Sequence, residues 1–129
     1  MQTIKFLLIL GLSATLFSAC KKDNEPGSKS LPGIWEGKWG SGSQDPAYFI
    51  KFKLESNGQL QRLDEEGQVI ANGNWELDGI EIEFTYTHTA DGQAHKIGGL
   101  YTDFDGAITG TWGYSPSKAN GGNIELKKQ

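Results

Sequence analysis

Gly73-Asn74-Trp75-Glu76-Leu77-Asp78-Gly79-Ile80-Glu81-Ile82-Glu83-Phe84-Thr85-Tyr86 alternates apolar and polar residues on both sides of an Asp-Gly pair. Residues two apart in a strand share a face, and Asp-Gly between such runs signals a two-residue hairpin turn. A turn at Asp78-Gly79 sets Leu77 opposite Ile80, Trp75 opposite Ile82, Gly73 opposite Phe84 and Ala71 opposite Tyr86, all on one apolar face. Applied to Asp91-Gly92, the rule pairs His88 with His95, Tyr86 with Ile97, Phe84 with Gly99 and Ile82 with Tyr101. At Asp105-Gly106 it pairs Tyr101 with Gly110, Gly99 with Trp112 and Ile97 with Tyr114.

Further turns at Asn57-Gly58 and Glu66-Gly67 complete a set of eight predicted strands: 34–40, 47–56, 59–64, 68–77, 80–89, 94–104, 107–115 and 122–128. A three-residue loop at Glu65-Glu66-Gly67 sets Leu63 opposite Val69. A two-residue turn at Asn57-Gly58 sets Leu54 opposite Gln61 and Phe52 opposite Leu63. No helix-length periodic segment remains. All four tryptophans stand two residues after a glycine, in Gly33-Ile34-Trp35, Gly37-Lys38-Trp39, Gly73-Asn74-Trp75 and Gly110-Thr111-Trp112. Each glycine leaves a gap on the face that carries the indole, which favours a curling sheet that closes on itself. The expected fold is all-β, an eight-stranded antiparallel up-and-down barrel spanning residues 31–129. In this register Gly73 makes room opposite Phe84 and Gly110 opposite Tyr101, and Trp39 alone among the tryptophans stands near an open end.

Lys5 precedes an apolar run from Phe6 to Phe17 that closes on Ser18-Ala19-Cys20. The run is too short to span a bilayer as a helix and reads as a targeting segment. Leu16-Phe17-Ser18-Ala19-Cys20 resembles the lipobox of bacterial lipoproteins, with Phe17 where leucine is usual. By that resemblance residues 1–19 are a signal peptide, and Cys20 is the first mature residue, anchored to the membrane by acyl chains such as palmitate. An ordinary secretory signal is the alternative. Cys20 is the only cysteine, so an exported chain offers it no disulfide partner, and acylation removes a reactive thiol. Residues 20–30 read as a flexible tether. Lys21 differs from the aspartate that retains some lipoproteins at the inner membrane, so the resemblance implies the outer membrane, on its periplasmic or surface face.

The barrel layout resembles the calycin group: Gly33-Ile34-Trp35 resembles the opening of lipocalins, and Gly110-Thr111-Trp112 resembles avidin-type strands. The other lipocalin signature segments and the full avidin set of biotin-binding polar residues are missing. The resemblance implies a lipocalin-like barrel. With Lys5 removed, 11 basic residues stand against 16 acidic ones, scattered along the chain, which argues against nucleic acid as a partner.

Alternating strand direction puts the longer loops, Gly40 to Pro46 and Ser115 to Gly122, at one end, the expected mouth. The tether joins the other end. The inward set near the mouth is Trp39, Tyr48, Tyr86, His88, His95 and Tyr114, with Ile50, Ala71 and Ile97. These six aromatic and imidazole side chains are the candidate ligand contacts, suited to a small apolar or aromatic ligand. A barrel of eight strands is also just wide enough for its own side chains to fill. A solid core with functional loops, acting as a protein-interaction or protease-inhibitor-like module on an envelope partner, is therefore the second reading.

His88 and His95, expected as cross-strand neighbours, lack a third ligand, so a hydrogen-bonding pair is expected and no metal. Close together, they would resist simultaneous protonation. Asp103-Phe104-Asp105-Gly106 opens like a calcium loop, but its twelfth position is Tyr114, so it reads as a turn. Glu81 and Glu83 fall on the outer face, away from any paired-carboxylate chemistry. No nucleophile-elbow sequence or triad context accompanies the histidines, so neither an enzyme nor a cofactor is expected.

Overall fold

Each of the eight alternating segments forms a strand, with ends within two residues of those expected. The computed structural model describes residues 31–129. The strands are β1 (Gly33–Trp39), β2 (Tyr48–Leu54), β3 (Gln59–Leu63), β4 (Val69–Asp78), β5 (Glu81–His88), β6 (Ala94–Thr102), β7 (Ala107–Tyr114) and β8 (Gly122–Lys128). Each pairs antiparallel with the next, and β8 returns to β1 with Trp39 opposite Ile124, so the barrel is closed in sequence order. Closure leaves no unpaired strand edge. Cys20 and the tether lie outside the described residues.

The inward faces make one core. Trp35, Phe52, Phe84, Ile97 and Ile108 are fully buried, and each such side chain is worth about 1.5–3 kcal/mol relative to exposure. Phe52 and Phe84 meet edge-on with ring centroids 5.1 Å apart. Leu31, also fully buried, seals the end where β1 begins. There the Trp35 indole Nε1 donates to the Leu31 carbonyl at 2.8 Å.

The turn registers differ from expectation because every described residue with positive φ is a glycine. A type I′ turn at Asp78-Gly79 would need positive φ at Asp78 as well. The turn instead slides by one residue, placing Gly79 (φ 66) first, pairing Leu77 with Ile82 and Trp75 with Phe84, and expelling Ile80 into solvent. At Asp91-Gly92 and Asp105-Gly106 the loops lengthen to four residues, each ending on its glycine. His95 therefore faces Tyr86 and Tyr114, Trp112 faces Ile97, and Gly99 faces Gly110. These shifts are by two positions and keep the faces.

The fourth departure is by one position and does change a face. Ser56-Asn57-Gly58 forms a three-residue loop closed by Glu55 and Gln59, which pairs Leu54 with Leu60 and Phe52 with Arg62. Leu60 and Arg62 turn inward where Gln61 was expected, and Leu63 stays buried as expected. Leu63 does pair with Val69, but a bulge beyond it sets Arg62 opposite Ala71.

The Gly-x-Trp glycines also act differently from expectation. Gly73 lies opposite Tyr86, and a Cβ there would strike the Thr85 carbonyl. A Cβ at Gly110 would strike the Gly98 carbonyl. These glycines let neighbouring backbones approach at bends of the barrel, and do not make room for aromatic rings.

Candidate ligand site at the barrel mouth

The ends of β1, β3, β5 and β7 converge at the end opposite Leu31 and enclose a cavity of about 230 Å³. Trp39, Tyr86, His88, His95 and Tyr114 line it, as expected, with Ile50. Ala71 and Ile97 lie deeper, in the packed core. Tyr48 is a correction: it is 53% exposed and stands outside the lining, its ring packed on Trp39 at 4.9 Å.

Trp112 is a second correction. It lines the cavity because the β6–β7 register carries it opposite Ile97, and its indole meets that of Trp39 edge-on at 5.2 Å. Its Nε1 donates to the Gly40 carbonyl at 2.9 Å, tying β7 to the β1–β2 loop. Two indoles, from β1 and β7, thus stand in one wall.

Arg62 lines the cavity as well, from the β3 face that the sequence reading turned outward. Its Nη1 lies 3.1 Å from His88 Nε2, and its guanidinium carbon sits 6.0 Å from the Tyr86 ring centroid. Arginine can only donate, so His88 Nε2 accepts, and the ring proton sits on Nδ1, 3.3 Å from the Gln93 carbonyl that accepts it. His88 thereby braces Arg62 against the β5–β6 loop. Arg62 Nε is buried with no acceptor, and Arg62 forms no ion pair among the described residues.

His95 is only 8% exposed, and its Nδ1 has no hydrogen-bond partner. Its ring centroid is 4.9 Å from that of His88, nearly perpendicular, so the two imidazoles are neighbours although they do not pair across strands. Burial lowers the His95 pKa first, and the electrostatic influence of the neighbouring His88 and Arg62 lowers it further, against a weaker opposing pull from Asp91. Burial likewise pushes the Tyr86 phenol up, with the Arg62 charge and a hydrogen bond from Arg62 opposing. Asp91 and Gln93 complete the rim. Among the described residues no group of three or more His, Cys, Asp or Glu side chains is placed to hold a metal ion.

The floor is solid: Tyr86 packs on Phe52 at 5.3 Å, and Phe52 on Phe84. The arrangement is a shallow, aromatic-walled cup with one cation in its side, above a filled barrel. No sequence signal turned Arg62 inward. In Gln59-Leu60-Gln61-Arg62-Leu63 the leucines are three apart, so alternation cannot choose the face, and only the Ser-Asn-Gly loop geometry can. Comparison with known protein families, with curated proteins and with solved structures finds no match for this chain.

Proposed function

We propose that this protein is a lipid-anchored component of the cell envelope, held at the outer membrane through Cys20, that binds a small aromatic ligand in the mouth of a lipocalin-like barrel without transforming it. One observation carries the reading: the cavity walled by Trp39, Tyr86, His95 and Trp112 at the end of the barrel away from Leu31. A tether joined at the Leu31 end would turn that mouth away from the membrane. Size narrows the ligand. Benzene fits in a cavity of about 150 Å³, whereas drug-sized ligands take about 300–1,000 Å³. At about 230 Å³ the cup suits one or two fused rings better than a long acyl chain.

Binding without chemistry is supported by the histidines' surroundings. His88 is engaged by Arg62 and the Gln93 carbonyl, and His95 Nδ1 has no hydrogen-bond partner among the described residues. Mass spectrometry of the protein purified from its envelope is expected to find a retained aromatic small molecule, which Trp112→Ala releases. A protein partner retained without any small molecule, and unaffected by that substitution, would instead select the loop-mediated interaction reading. Metabolic labelling with palmitate should mark the native chain and spare Cys20→Ser.

A further inference from the structure

Arg62 carries a charge that no carboxylate pairs with among the described residues. The guanidinium is ionised at any pH at which a protein folds, and it sits half-buried against Tyr86 with Nε lacking an acceptor. Its hydrogen-bonding neighbours, His88 Nε2 and the Tyr86 phenol, are uncharged groups. Asp91, the acid on the rim, is exposed, and its Oδ1 accepts the Gln93 N–H at 3.0 Å. No ion pair of Arg62 occurs among the described residues.

A ligand settling into the cup would displace the water that solvates the open side of this cation. A neutral ligand would leave the charge more deeply buried and still unpaired, which is costly. A carboxylate would supply the missing partner in the planar two-oxygen form that a guanidinium fork matches. Resting on the reading of the mouth as a ligand site, we propose that the ligand is an aromatic carboxylate of one or two rings. Its carboxylate lies on Arg62, and its ring lies against the indoles of Trp39 and Trp112. His88 is a positioning residue, holding the guanidinium through Nη1, while the buried His95 presents an imidazole edge to the same anion.

The test uses the full chain, purified in detergent and stripped of bound small molecules, with tryptophan fluorescence as the readout. The probes are naphthoate and naphthamide, alike in their rings and differing in charge. Native protein is expected to bind naphthoate at least about tenfold more tightly, with the preference shrinking as salt is added. Arg62→Gln should abolish the preference, and Arg62→Lys should retain part of it. The native comparison requires no variant to fold. Equal affinity for the two probes overturns the carboxylate assignment and leaves the mouth standing as an aromatic site. Failure of both probes to bind native protein overturns the ligand-site reading together with this one.

Discussion

Gly110 has room for a hydrogen atom and nothing larger, because a methyl group there would meet the Gly98 carbonyl and the Gly99 Cα. Neighbouring backbone cannot yield as a flexible side chain does. Gly110→Ala is therefore expected to cost about 2 kcal/mol by overpacking, lowering the Tm by roughly 10 °C in a domain of this size. Thermal denaturation followed by circular dichroism measures it, and an unchanged Tm would show that the strands separate freely. His95 makes a prediction of a different kind. Its folded pKa lies below the ordinary 6.5, so between those two values the unfolded chain binds more protons than the folded one. Stability should fall as the pH drops from 6.5 toward the lowered value, then level off for this group. His95→Gln should flatten the decline in Tm as the pH falls below 6.5. An NMR titration midpoint for His95 above 6.5 would reverse the sign and sink the argument. At this scale the inward direction of Tyr86 and His95 was legible from strict alternation. The lack of partners at His95 Nδ1 and Arg62 Nε depends on neighbours from other strands and could not be read.

The β7–β8 connection is long but tied down. Thr111 Oγ1 donates to the Lys118 carbonyl at 2.7 Å, and Asn120 Oδ1 accepts the Tyr114 N–H at 2.8 Å. From the same loop Lys118 reaches across β6 to Glu83 on β5 at 3.0 Å, where Lys96 binds the second carboxylate oxygen. Hydrogen bonds from Lys118 and then Lys96 lower the Glu83 pKa. The pair's contribution is thus present above the ordinary 4.5 and lost as pH falls through the lowered value, a window separate from that of His95. Solvent reaches these groups, so Glu83→Gln should cost only about 0.5 kcal/mol. Its clearer effect should be faster amide exchange across residues 115–121. Unchanged exchange there would mean that Thr111 and Asn120 suffice to hold the loop. Strand existence was legible because each run alternates between glycine turns. Turn type was not, since Asp-Gly and Asn-Gly are compatible with two-, three- and four-residue loops until the φ of the preceding residue is known.

Across the whole molecule, closure of β8 onto β1 makes every strand a neighbour of two others, and the core runs unbroken from Leu31 to the floor of the cup. Unfolding should therefore be a single event. The tryptophans sample both ends of the barrel, Trp35 beside Leu31 and Trp39 with Trp112 at the mouth, so their fluorescence and the far-ultraviolet circular dichroism should show coincident denaturant transitions. Separated midpoints would reveal a mouth that melts by itself. The amino-acid sequence alone determined the number of strands, their order, the closed barrel and most of the inward face. All of these follow from period-two alternation, which is unaffected when a register slips by two. Only the tertiary structure decided the slips themselves, the one-residue shift that turned Arg62 inward, and the meeting of Trp39 with Trp112. Turn geometry is set where positive φ is confined to glycine, and contacts between strands distant along the chain exist only once the barrel has closed.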